Sequence, residues 1–492
     1  MKIKVGISRY IVTQSKKETF EDDYVTKTMG AFGNYQSLVC SISVIARMIS
    51  SCNIMSIVFL TSKTEFVCTM FKDGFRRLVQ NSTCYDDCVV YKYNSLVFDE
   101  TLISTFGLIC DRAWLTSFTQ TITMFGLALG VAILGWCSDR FGRRIAFVLS
   151  ASICVLFMIA APFVSNYSLY NAFRFFAGFG SGGIMAINVV YNIEIVGSKY
   201  RETAGATGLI ADGLAIMFLA VVAHYTSKWQ TYLLILGLVS GMILILMLFI
   251  PETPRWLIAQ RKKEQAIQLL TKIATFNRLE TSHISETVSK VIEELETVEV
   301  KKQTYLDLFN NRKITKVTIV YAVIWTLGGI CYFGITHYST LLGLNIFVMV
   351  PLMGFLQIIG NIIAIPVNKY LGRKISVICN LLLVAAMMTI LIFIPDGHWG
   401  CAVTSGIATI FSICAFCVFY LHVNELYPTP LRNMGVGVCC FGSKVGAMVA
   451  PFIANMQPHW MSSTIFAVLP FLGAVLAFLL PETKGKKMED TI

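Results

Sequence analysis

Twelve runs of about 20 mostly apolar residues recur along this chain of 492 residues. A helix needs roughly 20 apolar residues to cross the hydrocarbon core of a bilayer, so each run predicts a membrane-spanning helix. Only 14% of the residues are charged, whereas soluble domains carry roughly 25%. The fold class is therefore an all-α membrane protein. Its predicted spans are 38–60, 114–136, 145–165, 168–193, 203–224, 231–250, 316–336, 346–367, 375–394, 401–423, 434–454 and 462–480.

The net charge of +11 does not indicate a nucleic-acid partner, because the basic residues fall in alternate loops between the runs. These loops hold Arg140, Arg143, Arg144, Lys199, Arg201, Arg261, Lys262, Lys263, Lys369, Arg373, Lys374, Arg432, Lys484, Lys486 and Lys487. Loops rich in Lys and Arg stay in the cytoplasm, so these loops and both chain ends are expected there. The partner that this pattern indicates is the lipid bilayer.

A long polar loop at 61–112 follows the first run, and the same topology places it outside the cell. Four cysteines lie in this loop, where disulfides persist: Cys68, Cys84, Cys88 and Cys110. Their pairing stays open, since four cysteines allow three connectivities. Asn81 begins an Asn-Ser-Thr glycosylation sequon in the same loop, which agrees with an external location.

Landmarks of the first half recur in the second at an offset of about 230 residues. Gly142 recurs as Gly372, Pro251-Glu252-Thr253 as Pro481-Glu482-Thr483, and Glu194 as Glu425. All copies fall on the cytoplasmic side, so the halves are parallel repeats with an even number of spans, a plan that places the solute site between them. The predicted units are a cytoplasmic N-terminus (1–37), two six-helix bundles (38–250 and 316–480), a linker of amphipathic helices (251–315) and a cytoplasmic tail (481–492).

The segment Gly135-x-x-x-Asp139-Arg140-x-Gly142-Arg143 resembles the signature loop of the major facilitator superfamily. Other segments are similar to those of one branch, the organic ion transporter family of organic cation, organic anion and carnitine carriers. These are GAFGNYQ at 30–36, CDRAWL at 110–115, ETPRWL at 252–257, NELYPT at 424–429 and RNMGVGV at 432–438. The resemblance covers nearly the whole chain and implies two pseudo-symmetric six-helix bundles that work by alternating access.

Ionisable residues inside spans are costly and are functional candidates. Arg47, Asp212 and Lys444 are three such residues. The resemblance implies that the position of Lys444 is acidic in cation carriers and basic in anion and carnitine carriers. It also implies an aromatic pocket residue at the position of Asp212, so this chain departs from the family pattern there. Lys444 could hold a carboxylate while Asp212 holds an ammonium. Alternatively, Asp212 neutralises Lys444 or Arg47 as a structural ion pair, and the sequence leaves both possibilities open.

Trp325 and Tyr332 are seven residues apart and therefore share a helix face. The resemblance implies that they line the pocket, where aromatic faces can hold a quaternary ammonium. Further candidates for polar lining residues stand in other spans. These are Asn53, Gln120, Asn188 and Tyr420.

Acidic and basic residues on the cytoplasmic side recur in register in both halves and predict a gate that locks in one state and opens in the other. The gating candidates are Gly135, Asp139, Arg140, Gly142, Arg143, Glu194, Arg201, Glu252, Arg255, Lys369, Arg373, Glu425 and Arg432. We expect Gly135 to let two helices approach closely and Asp139 to face the positive end of a neighbouring helix. In the second copy Asn368 and Lys369 replace the acid and the arginine, so we expect a weaker lock there.

These features predict a secondary transporter of small organic ions in the plasma membrane, working as a monomer without a cofactor. Lys444 favours carboxylate-bearing anions or zwitterions such as carnitine. An organic cation transporter and a non-transporting solute sensor on the same scaffold are the alternatives. No metal-ligand, nucleotide-binding or nucleophile motif indicates an enzyme. The early spans contain no obvious acidic proton relay, which favours facilitated diffusion or exchange.

Overall fold

The structure is a computed structural model, and it describes residues 26, 28–62, 64–72, 81–95, 97–296, 305–428 and 431–484. Twelve long helices form its framework, and they are numbered here in chain order. They are α1 (Asn34–Met55), α2 (Trp114–Phe141), α3 (Arg143–Ala160), α4 (Tyr167–Ile195), α5 (Arg201–His224), α6 (Trp229–Met247), α7 (Arg312–Tyr338), α8 (Ile346–Leu371), α9 (Arg373–Leu391), α10 (Trp399–Leu426), α11 (Arg432–Ala454) and α12 (His459–Ala477).

All twelve predicted spans are confirmed as helices long and apolar enough to cross a membrane. Several helices run beyond the predicted bounds. For example, α2 continues to Phe141, and a short helix Ile57–Leu60 extends α1. Hydropathy locates the part of a helix that lies in lipid, whereas the hydrogen-bonded backbone continues into the polar region beyond it.

The loop between α1 and α2 contains a small antiparallel sheet, which the sequence did not predict. Strand β1 (Thr64–Phe71) pairs with β2 (Cys88–Ser95). Two disulfides, Cys68–Cys88 and Cys84–Cys110, tie this hairpin to itself and to the start of α2. The membrane side that carries this loop is called the loop side below.

Helices Pro254–Ala259, Lys263–Phe276 and Ile284–Glu296 follow α6 and cover the opposite end of the first half, which is called the linker side below. Their apolar faces are buried against this half, since Leu270 and Ile273 are inaccessible to solvent. The Asn277 amide donates to the carbonyl of Met29 at 3.0 Å and to the side chain of Gln36 at 2.8 Å. The linker helices are therefore packed as part of the first half.

Close backbone contacts hold each six-helix half together. A Cβ on Gly130 of α2 would lie 1.9 Å from the carbonyl oxygen of Phe179 in α4, so only glycine allows this crossing. In the second half, a Cβ on Gly446 of α11 would lie 2.2 Å from the carbonyl oxygen of Thr326 in α7. Each half thus contains a helix crossing that glycine allows, α2 with α4 in the first half and α7 with α11 in the second.

The halves contact each other through two helix pairs, α5 with α8 and α2 with α11. In α2, the hydroxyl of Ser117 donates to the Pro451 carbonyl at 3.2 Å, and that of Thr121 donates to the Met448 carbonyl at 2.7 Å. The rings of His224 in α5 and Phe347 in α8 meet at 5.3 Å. These contacts lie toward the loop side, so this side is closed between the halves.

Candidate functional site

The candidate site lies between the two halves, where α1 and α5 face α7, α8, α10 and α11. Arg47 in α1 is within electrostatic range of Tyr332 in α7 and Tyr420 in α10. Lys444 in α11 is within range of both Arg47 and Asp212. Charged groups of one half therefore lie close enough to act on aromatic and charged groups of the other.

Arg47 and Asp212 form a two-bond ion pair inside the first half. The Nε and Nη2 atoms of Arg47 donate to the two carboxylate oxygens of Asp212 at 2.9 and 2.8 Å. The hydroxyl of Ser51 donates to the same carboxylate. Gly208 makes room for the pair, because a Cβ there would lie 3.0 Å from Cδ of Arg47. Of the sequence alternatives, the geometry is that of the ion pair between Asp212 and Arg47.

The Lys444 ammonium has no carboxylate within salt-bridge distance among the residues that the structure describes. It lies 5.6 Å from the centroid of the Phe333 ring, on whose face it makes a cation–π contact. Because Asp212 is occupied by Arg47, these three side chains together carry one net positive charge, at Lys444.

Aromatic rings of α7 and α10 line the second half of the site. Tyr332 packs against Phe416 at 5.3 Å, and Trp325 packs edge-on against Tyr420 at 4.6 Å. Tyr420 is 45% exposed, whereas Trp325 is fully buried behind it. Trp325 therefore supports the wall, and Tyr332 and Tyr420 form its surface.

Three sequence-predicted lining residues on helices of the first half are buried. Asn188 donates to the carbonyl and the hydroxyl of Ser43 at 2.7 Å, and Asn53 donates to Ser181 at 2.9 Å. Gln120 is buried in α2. The expectation that Asn53 and Asn188 line the pocket is wrong, because both face neighbouring helices of their own bundle rather than the space between the halves.

Sequence reasoning missed Arg174 of α4, which is only 1% exposed. Its guanidinium donates to Asn53 Oδ1 at 2.9 Å, to the Asn53 carbonyl at 3.0 Å and to the Ser56 hydroxyl at 3.3 Å. The signal was an arginine within an otherwise apolar span. Asn53 is therefore the neutral partner of a buried charge.

Sequence reasoning also missed Gln357 of α8, which is buried beside the aromatic wall. Its amide donates a short hydrogen bond to the phenol oxygen of Tyr332. A glutamine between apolar residues in a predicted span was the available signal, but which aromatic it reaches depends on how α7 packs against α8.

The linker-side end of the first half holds one lock, centred on the start of α3. The Glu252 carboxylate accepts the backbone N–H groups of Arg143 at 2.9 Å and of Arg144 at 3.2 Å, and so caps the positive end of the helix. Gly142 precedes the helix with φ of 114°, and a Cβ there would lie 2.3 Å from Glu252. Burial raises the pKa of Glu252 despite these hydrogen bonds.

The Arg143 side chain completes this lock. It donates to Glu194 of α4 at 2.8 Å and also pairs with Asp139 one turn earlier. The hydroxyl of Thr253 donates to the same Glu194 carboxylate at 2.6 Å. The lock thus joins the end of α2, the start of α3, the end of α4 and the chain after α6.

The second half repeats the arrangement. Arg373 donates to Glu425 at 2.8 Å, and Glu482 accepts the backbone N–H groups of Arg373 at 3.0 Å and Lys374 at 3.1 Å. Burial would raise the pKa of Glu482, but hydrogen bonds from backbone N–H groups lower it overall. The weaker second lock stays a prediction, since the side chains of Asn368 and Lys369 lie outside the described residues.

Other gating candidates lie around these locks. No atom lies within 4 Å of a Cβ placed on Gly135, so the expected close helix approach is wrong. The side chain of Asp139 is 73% exposed and pairs with Arg143 rather than with a neighbouring helix end. Arg140 is exposed, and Arg255 donates to the Glu194 carbonyl at 3.2 Å. Arg201 and Arg432 begin α5 and α11.

The predicted glycosylation sequon lies among the described residues. Asn81 is exposed in the loop, where its sequon stays a prediction for glycosylation. Within the described residues, no three His, Cys, Asp or Glu side chains are grouped so that they could hold a metal ion.

Two parallel six-helix halves around a central charged and aromatic site define a secondary transporter of the major facilitator fold. Residues 6–491 match the family model described as Sugar (and other) transporter. The xylose transporter XylE from E. coli, in its inward open conformation, has the same fold, with a TM-score of 0.69 and 16% identity over 93% of this chain and 99% of that one.

Curated relatives narrow the assignment. Solute carrier family 22 member 3 of Mus musculus is 31% identical over 80% of this chain and 71% of its own length. Member 16 of Homo sapiens is 29% identical over 82% and 70%. The organic cation transporter protein of Drosophila melanogaster is 25% identical over 96% and 93%. The chain belongs to the solute carrier 22 family of organic ion transporters, and it is a multi-pass membrane transporter rather than an enzyme.

Proposed function

We propose that this transporter carries small organic ions by alternating access and favours substrates with a carboxylate, either organic anions or zwitterions such as carnitine. One observation carries the proposal: Asp212 is held by Arg47 and Ser51, whereas Lys444 has no carboxylate partner among the described residues. A substrate carboxylate is the missing counter-ion of this ammonium.

The positive charge of Lys444 determines which sign of substrate charge the site favours. Two unit charges 4 Å apart interact by about 1 kcal/mol in water and about 4 kcal/mol at an effective dielectric constant of 20. A carboxylate beside Lys444 gains an attraction of this size, whereas a cation meets a repulsion of the same size. The carboxylate of Asp212 does not offset that repulsion, because it already neutralises Arg47.

The aromatic wall favours substrates with a flat or quaternary part. Tyr420 and Tyr332 belong to the second half and lie within electrostatic range of Arg47 in the first. A zwitterion would place its carboxylate on Lys444 and its ammonium on these rings. An aromatic anion would place its ring there instead.

The contacts between the halves support alternating access. Hydrogen bonds from Ser117 and Thr121 close the loop side, while the two locks hold together helix ends on the linker side within each half. We assign the loop side to the cell exterior and the linker side and both termini to the cytoplasm, as the distribution of Lys and Arg predicts. The membrane is the plasma membrane, and one chain forms the transport unit.

Transport is facilitated diffusion or exchange. The carboxylate of Asp212 in the site is already held by Arg47 and Ser51, so it is poorly suited to bind and release a proton. Uptake should therefore persist when the proton or the sodium gradient is removed. Uptake that collapses without one of these gradients would contradict this part of the proposal.

Organic cation transport is the second candidate. It is supported by the relative named as an organic cation transporter protein and by the aromatic wall, which could hold a cation. A substrate cation would then have to bind despite repulsion from Lys444, or at a place in the site away from Lys444. A solute sensor on this scaffold would bind the same ligands without uptake.

The deciding experiment is radiolabelled uptake in proteoliposomes of carnitine, a quaternary cation and an aromatic organic anion. The proteins are wild type, Lys444→Asp and the control Lys272→Asp, which changes an exposed charge on a linker helix. We expect uptake of carnitine or of the anion by wild type and the control, and its loss in Lys444→Asp. Uptake of the cation alone, unchanged by Lys444→Asp, would refute the anion preference, and ligand binding without any uptake would favour the sensor.

A further inference from the structure

Tyr332 faces the site with its phenol oxygen already engaged on one side. The Gln357 amide N–H donates to that oxygen, and an amide N–H can only donate. The phenol oxygen is therefore the acceptor in this bond. No other residue that the structure describes makes a hydrogen bond with the same oxygen, so the phenol O–H is left to donate elsewhere.

The position of this O–H matters because of its neighbours. The Tyr332 ring packs against Phe333 at 4.9 Å, and the Lys444 ammonium lies 5.6 Å from the centroid of the same Phe333 ring. Tyr332 is also within electrostatic range of Asp212 and Arg47. The Tyr332 ring and the Lys444 ammonium thus both contact the Phe333 ring.

We propose that Gln357 is a positioning residue that fixes Tyr332 as a hydrogen-bond donor to the substrate carboxylate that Lys444 attracts. This inference rests on the proposed function and adds a second carboxylate donor together with the residue that orients it. Gln357 acts only through Tyr332, since its amide reaches the phenol and not the substrate.

The choice of an amide at position 357 follows from this role. A glutamate there would accept a hydrogen bond from the phenol O–H, which would then not be available to the substrate, and it would also add a negative charge near the site. A methionine has nearly the same shape but no N–H, so the phenol could rotate freely. An amide therefore suits a site that binds an anion.

The test measures KM and maximal rate for a radiolabelled aromatic carboxylate in proteoliposomes. The variants are Tyr332→Phe, Gln357→Met, both together, and Gln357→Glu. Asn361→Ala serves as control, since it alters a buried polar residue one turn further along α8 that contacts Cys417. We expect Tyr332→Phe to raise KM about tenfold, the value of one hydrogen bond to a charged group. Gln357→Met should raise KM by a smaller factor with the maximal rate per transporter unchanged.

The double variant separates positioning from a merely structural role. In the Tyr332→Phe background, Gln357→Met should have no further effect on KM, because its only route to the substrate is gone. Gln357→Glu should lower anion uptake more than Gln357→Met does. For any variant that reaches the membrane poorly, the shift in melting temperature caused by the same anion in detergent replaces uptake as the measure of binding.

Two outcomes would overturn the inference in distinguishable ways. If wild type carries the anion but Gln357→Met leaves KM unchanged, or raises it equally with and without Tyr332, then Gln357 does not orient Tyr332 although the proposed function stands. If wild type carries only the cation, the proposed function and this inference fail together.

Discussion

The carboxylate of Asp212 accepts two hydrogen bonds from the guanidinium of Arg47, at 2.9 and 2.8 Å. These side chains, which come from α1 and α5, are 165 positions apart in the chain, and both are nearly buried, at 5% and 13% exposure. Their pairing leaves Lys444 as the charge that faces the space between the halves without a described counter-ion.

We expect Asp212→Asn to destabilise the protein strongly, because removal of one partner leaves the charge of Arg47 buried. Breaking a buried ion pair in this way costs about 3–5 kcal/mol, whereas Arg47→Gln combined with Asp212→Asn should recover part of the loss. Melting temperature in detergent is the measurement, with Ser51→Ala as a milder control. If Asp212→Asn instead keeps full stability and loses only zwitterion uptake, Asp212 is a substrate ligand.

Substitution of Gly142 tests the lock at the start of α3. Gly142→Ala forces a left-handed backbone on alanine and brings Cβ to 2.3 Å from Glu252, whereas at Gly372 the corresponding distance is 3.2 Å. We expect a loss of about 1–3 kcal/mol at Gly142, a smaller loss at Gly372, and the smallest at Gly107, where φ is positive but no atom lies within 4 Å. Thermal unfolding of the three variants gives the order, and equal losses would argue against the role of Glu252 as a helix cap.

The two locks should differ in strength. The side chain of Arg143 is 11% exposed and pairs with two carboxylates, whereas that of Arg373 is 22% exposed. Arg143→Gln should therefore cost more, about 1–3 kcal/mol for charged hydrogen bonds, and should slow transport more than Arg373→Gln. Unfolding and uptake rates measure both effects, and Arg140→Gln, at an exposed position, should behave like wild type. A larger effect at Arg373 would contradict the expected weakness of the second lock.

Arg174 depends on the side chain of Asn53. Asn53→Leu removes the 2.9 Å acceptor of a guanidinium that is sealed from water, so we expect a loss of about 1–3 kcal/mol or more. Asn53→Asp keeps an acceptor in place and adds a counter-charge, so it should be the more stable variant. Purified protein in detergent serves for both comparisons. Equal stability of the leucine variant and wild type would mean that water or other groups satisfy Arg174.

Several features of this protein could be predicted from the sequence because they depend on local or periodic patterns. The twelve spans follow from hydropathy, and the family follows from short motifs of fixed spacing. The repeat at about 230 residues also predicted that Gly142 and Gly372, and Glu252 and Glu482, occupy equivalent places. In the structure both glycines have positive φ, and both glutamates cap the start of a helix.

Which charges meet inside the membrane could not be predicted in this way. Arg47, Asp212 and Lys444 were all recognised as costly residues in spans, but the choice of partner for Asp212 depends on how α1, α5 and α11 pack. Likewise, Asn53 reads as a lining residue in the sequence, whereas the packing of α1 on α4 turns it toward Arg174.

The sequence by itself therefore determined that the chain crosses a membrane twelve times as two related halves and belongs to a transporter family, since apolar length, repeat spacing and motifs are properties of the chain alone. The tertiary structure decided which charge is left unpaired, which tyrosines form the wall and which amide orients Tyr332. These depend on distances between side chains far apart in sequence, and the packing of the helices sets those distances.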